Sequence, residues 1–267
     1  MRAATSHERA SEPSHDRGHS DPQAASELLR PLARRAVGMS GADIERLVRE
    51  ARGRARRAGR PLSWRDIEDL VSSGRPDICD DLRWRLAIHE CGHVLVHLAL
   101  GRGGSIDIVS VDGRDGGYVR LDGQENLLLS ERQAMESLAV LLAGRRAELV
   151  FFGDALSGAG GSPESDLGRG TALALLMETS LGYGRRHPLI FRPVADPAAQ
   201  LAYDSELAER VQVRLEEADA IASVIIEDHT AALAVLAREV ARQRTLEGAA
   251  LDNGLDEMRR KLQGWRP

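Results

Sequence analysis

Residues 86–100 are apolar on nearly every side of a helix, yet His89, Glu90 and His93 are set into that stretch. Such a segment is expected to lie inside the fold as a helix over about 80–100, with Gly101 as its stop. Burying two imidazoles and a carboxylate is costly unless they are paired or bound to a metal. The spacing supplies a metal site. His89-Glu90-Cys91-Gly92-His93 is an HExxH motif, and four residues is just over one helical turn, so the two histidines project from one face. Their ring nitrogens can converge on one zinc ion at about 2.0–2.1 Å. Glu90, beside the first ligand, can take a proton from a water on the metal and later pass it to a leaving amine. A third protein ligand and an open position complete such a centre. His97 cannot be that ligand, because it lies eight residues from His89, about 12 Å of helix rise. Two acids stand out instead. Glu148 sits within Leu142-Ala143-Gly144-Arg145-Arg146-Ala147-Glu148, and Asp166 follows a Gly/Ser/Pro loop over 157–165 at a helix start. Their plain readings are a surface carboxylate and a helix-start acid.

The rest of the chain frames this core. Aromatics are 3% of 267 residues, so the interior must be built from Leu, Ala, Val and Ile. A net charge of -5 gives no basic field for nucleic acid. The two cysteines, Cys79 and Cys91, make neither a disulfide framework nor a CxxC pair, which fits a reducing cytoplasm. Residues 1–23 carry no apolar core for a secretory signal and are expected to be a disordered tail, in which His7, His15 and His19 read as solvated. No window reaches the length of a transmembrane helix. Residues 24–76 read as a small helical unit, with start signals at Ser40-Gly41-Ala42-Asp43 and Ser63-Trp64-Arg65-Asp66 and a stop at Gly59. The break at 72–76 is the expected boundary to a domain over 77–267. There, Ile106, Ile108 and Val111 read as a strand, 112–117 as a turn and 118–121 as its return. Further helices are expected at about 130–152, 165–182, 203–226 and 228–244.

Together these segments resemble the peptidase domain of FtsH-type ATP-dependent zinc metalloproteases. The likeness is carried by His89-Glu90-Cys91-Gly92-His93, Ala143-Gly144-Arg145-Arg146-Ala147-Glu148 and Ser165-Asp166-Leu167. Upstream, Leu32-Ala33-Arg34-Arg35 through Gly38-Met39-Ser40-Gly41-Ala42-Asp43 resembles the end of that family's AAA lid. The resemblance implies a mainly helical fold with a small β-hairpin or sheet. It implies zinc held by His89, His93 and Asp166, with Glu90 as the catalytic glutamate and Glu148 close behind the ligands. A loop-borne Asp166 can swing toward a metal on another helix, whereas a helix-borne Glu148 suits a hydrogen bond that orients a ligand imidazole. Cys91 departs from the family's alanine and is expected to pack as a small buried hydrophobe. The loop before Asp166 is longer than usual. No Gly-Lys pair exists, so a Walker A phosphate loop is not expected.

The function expected from this reading is hydrolysis of peptide bonds in unfolded or flexible polypeptides, with Zn²⁺ as cofactor. The strand over 105–111 is expected to bind an extended substrate along its edge. The family's hexamers imply a homo-oligomer, and the lid remnant an ATPase partner. The expected location is cytoplasmic, with membrane association only through that partner. The alternative is a regulatory or non-catalytic subunit assembling with a complete FtsH-type protease. A truncated gene product is a third reading.

Overall fold

The structure, a computed structural model, describes residues 29, 32, 33, 36, 39–72, 78–113, 116–122 and 129–265. The expected tail over 1–23, most of the break at 72–76 and two residues of the turn at 112–117 lie outside the described residues. The chain divides into two compact units, Met1–Gly74 and Arg75–Pro267.

The first unit includes the helices α1 (Gly41–Arg57) and α2 (Trp64–Ser72). Each starts on a serine that the sequence marks. Ser40 Oγ accepts from the Asp43 N–H at 3.2 Å while Asp43 Oδ2 accepts from the Ser40 N–H at 3.1 Å, a reciprocal cap that satisfies two otherwise orphaned donors. At α2, Asp66 accepts from the Ser63 N–H at 2.8 Å and is gripped by both terminal nitrogens of Arg60. Leu32, Leu47, Ala51, Leu70 and Val71 form its small core.

The second unit is wrapped around α3 (Asp80–Ala99), which carries the HExxH segment and is ended by Gly101 at φ +60°. Helix α4 (Glu131–Phe152) packs on it, followed by a one-turn 3-10 helix (Ser157–Ala159) and α5 (Asp166–Thr179). Then come α6 (Pro197–Tyr203), α7 (Ser205–Asp228), α8 (Thr230–Gln243) and α9 (Gly248–Leu262). Helix α7 lies against α4 and α5, and α8 covers another side of α3. That enclosure explains why α3 is apolar on nearly every side from Leu86 onward. The helices approach closely because their contact residues are small. A Cβ on Gly92 of α3 would fall 2.7 Å from the Ala143 carbonyl oxygen of α4. No aromatic side chain among the described residues is fully buried; Ala, Leu, Val and Ile dominate the core, with Met177, Met258 and Cys91. No single helix among the described residues is long and apolar enough to cross a membrane.

The fold is thus mainly helical with one small sheet, as expected. The sheet holds β1 (Ser105–Ser110), β2 (Tyr118–Asp122) and β3 (Thr245–Glu247), all antiparallel, in the order β2-β1-β3. Strand β1 is therefore central. Val109 faces Val119 on one side and Leu246 on the other. This corrects the expectation that β1 offers an edge to substrate, since its backbone groups at 108–110 are engaged on both sides.

One buried ion pair ties three helices together. Arg214 of α7 is 1% exposed, and its Nε donates to Glu178 Oε1 of α5 at 2.5 Å. Its other nitrogens reach Glu131 Oε1 of α4 at 2.9 Å and the Tyr183 carbonyl. Arg210 donates to the second oxygen of Glu178 at 3.2 Å. Removing one member of such a buried pair leaves a charge without its partner. Arg214→Met is expected to cost about 3–5 kcal/mol, read as a lower urea midpoint at an unchanged slope. A loss below about 1 kcal/mol would place the network among dispensable surface pairs.

Candidate metal centre

Helix α3 puts His89 and His93 one turn apart, with ring centroids separated by 4.9 Å. Each ring is oriented through the nitrogen that points away from its neighbour. His93 Nδ1 donates to the Val140 carbonyl of α4 at 2.7 Å. His89 Nδ1 meets Glu148 Oε1, also on α4, at 2.8 Å. With both Nδ1 positions engaged as donors, the Nε2 atoms are the ones presented to a metal.

Asp166 closes the third side. It opens α5, where Ser165 caps the helix by accepting from the Gly168 N–H at 3.2 Å and donating to the Ser162 carbonyl at 2.6 Å. Gly168 is required here, because a Cβ would come within 2.4 Å of that same carbonyl oxygen. The tightly folded loop directs the Asp166 carboxylate at the histidines, with Oδ2 3.1 Å from His89 Nε2 and 3.4 Å from His93 Nε2. Ligand atoms on a tetrahedral zinc with bonds of about 2.0–2.1 Å stand roughly 3.3 Å apart, so these separations suit that donor set. One donor atom from each of His89, His93 and Asp166 lies within 4.8 Å of the others.

Before a metal binds, the electrostatics hold a proton on His89 that an ion would displace. Burial works to lower the His89 pKa, but the carboxylates of Asp166 and Glu148 outweigh it and push the ring up to about 10. Burial works to raise Asp166, and its bonds to His89 and His93 hold it well below the usual carboxylate range. Glu148 is 2% exposed, and its contacts with His89 and the Leu156 N–H likewise overcome burial and keep it low. Glu90 differs. Burial raises it above its ordinary value against the pull of His93 and His89. Its carboxyl lies against the backbone of Gly117, where a Cβ would be 2.3 Å from Oε1. A carboxyl shifted upward beside a metal site is suited to take a proton and return it.

The structure thus brings His89, His93 and Asp166 together and sets Glu148 behind His89. His97 is buried outside this group, and burial lowers its pKa. Cys91 is fully buried, with its thiol pushed well above the ordinary range by burial and by Glu90. Three contributors escaped sequence reasoning. The Val140 carbonyl has no side-chain signal at all. Gly117 and Gly144 matter because of atoms they lack.

A Cβ on Gly144 would stand 2.4 Å from His89 Nε2 and 2.5 Å from His93 Nε2. Both imidazoles therefore rest over bare backbone. Gly144→Ala is expected to displace the rings and weaken divalent-metal binding at least about tenfold, the effect of losing ligand orientation. Alanine is the better helix former by roughly 0.5–1 kcal/mol, so helicity by circular dichroism should hold. Unchanged metal affinity, measured by calorimetry, would show that the rings do not need this seat.

Comparison with known proteins points the same way. The model for peptidase family M41 matches residues 78–253. The ATP-dependent zinc metalloprotease FtsH 1 of Sorangium cellulosum is 31% identical over 244 residues, covering 83% of this chain and 39% of that protein. FtsH 1 of Thermomicrobium roseum is 31% identical over 256 residues, covering 86% and 38% respectively. FtsH of Hahella chejuensis is 30% identical over 249 residues, covering 85% and 40%. The chain spans about two fifths of the length of these curated relatives. Its match to the family model takes in both histidines, the glutamate between them and the aspartate that faces them, and the chain belongs to peptidase family M41.

Proposed function

We propose that this chain is a zinc-dependent endopeptidase that cleaves unfolded or flexible polypeptides, with His89, His93 and Asp166 as ligands and Glu90 as general base. The observation that carries the reading is the convergence of two Nε2 atoms and one carboxylate oxygen at 3.1 and 3.4 Å, with both rings oriented from behind. The relatives' names, ATP-dependent zinc metalloproteases, support zinc as the ion. When bound, zinc supplies Lewis-acid polarisation of the scissile carbonyl and lowers the pKa of water toward neutrality.

The protein's own groups do the rest. Glu90, raised by burial, takes the proton of the attacking water and hands it to the leaving amine. Glu148 and the Val140 carbonyl hold the ligand rings in the required tautomer. Because β1 is paired on both sides at 108–110, substrate pairing falls to β2, whose outer edge has no partner strand among the described residues. Strand β2 starts at Tyr118, directly after the Gly117 backbone that touches Glu90. A peptide added along that edge would run beside the general base.

The deciding experiment is cleavage of casein with zinc and without ATP. Glu90→Gln is expected to lower the rate by about 10²–10⁴-fold while zinc stays bound. Wild-type protein that binds zinc yet cleaves nothing would favour the alternative of a non-catalytic subunit of a larger protease. Asp166→Asn and Glu148→Gln should separate in a zinc titration. The first is expected to abolish tight binding, and the second to weaken it about 10–100-fold with activity recovered in excess zinc. The reverse pattern would exchange their roles.

A further inference from the structure

Glu148 can steer the His89 ring only if its own carboxylate is held. Oε1 meets His89 Nδ1 at 2.8 Å, and Oε2 accepts from the Leu156 N–H at 2.9 Å. A second donor reaches Oε2, the Nη2 of Arg85 at 3.3 Å. Arg85 lies on α3 four residues before His89, one turn away on the same face. Its guanidinium is 4.6 Å from the centre of the Phe152 ring, a stacking that restrains its swing. The same Nη2 donates to Asp154, at 3.1 Å to the carbonyl and 2.6 Å to Oδ1. Asp154 follows Gly153, whose φ of +80° ends α4. Arg85 therefore grips both the end of the helix that carries Glu148 and the first residue of the segment that returns to Asp166.

We propose that Arg85 is a positioning residue for the metal centre: it fixes Oε2 of Glu148 so that Oε1 points at His89 Nδ1 and His89 Nε2 points at the metal. This rests on the zinc reading above. The terminal torsion of a glutamate is broad, so one bond at Oε1 would leave the carboxylate free to turn. Two further donors at Oε2 remove that freedom. The arginine also supplies a permanent positive charge to a carboxylate that is 2% exposed. Asp154 alone does not explain Arg85, because its side chain is 73% exposed and gains little from an ion pair.

The test is zinc affinity by chelator competition on proteins whose melting shows them folded. Arg85→Met is expected to bind zinc about tenfold more weakly, and Arg85→Lys, which keeps the charge, to lose less. Asp154→Asn should stay near wild type. The discriminating measurement is a double-mutant cycle. In a Glu148→Gln background, Arg85→Met should cost little more, since its effect passes through that carboxylate. Wild-type affinity in Arg85→Met, or losses that add fully in the double mutant, would overturn the proposal. If Arg85→Met does not fold, the same cycle run with Arg85→Lys decides by the same two outcomes. Wild-type protein that binds no zinc would instead refute the zinc reading and is distinguishable at the first measurement.

Discussion

A helix that must be buried on every side leaves no room for polar groups that are not answered, and α3 carries three at its centre. The structure answers the two imidazoles from α4. That helix supplies a carbonyl to His93 and a carboxylate to His89, while Gly144 gives both rings space. Much of the architecture follows. Helix α4 must run close to α3, so the seam is made of glycine and alanine. The chain must then return with an acid to face the rings, so a glycine-dependent loop precedes α5.

Large parts of this were legible in the sequence because they depend on local chemistry. The apolar run over 86–100 announced a buried helix, and Ser40 announced the start of α1. The spacing of His89 and His93 announced a shared face. The choice between Glu148 and Asp166 was only partly legible. Loop against helix gave a physical reason, but the distances come from packing.

Other parts could not be read locally. Strand β3 is three residues long, between two helices, and its pairing with β1 lies more than 130 positions away. The helix before it ends on Arg244 at φ +65°, a left-handed conformation where glycine or asparagine would have flagged the stop. Missing β3 also misplaced β1 as an edge. The Val140 carbonyl and Arg85 matter through tertiary contact, and their identities alone carry no hint of it.

The two helices meet as matched rows. Arg85, His89 and His93 are spaced by four on α3, and Glu148, Gly144 and Val140 are spaced by four on α4, running the opposite way. Such rows work like a vernier. Each step of four residues advances about 6 Å and turns about 40° beyond a full circle, so the two scales coincide over a short length and then diverge. His97 is the next mark on the α3 scale, and it has already rotated out of the centre. A slip of one residue between the helices would move every mark at once, by about 100°. The centre therefore assembles as a unit or not at all, and its position along α3 is where the two scales come into line.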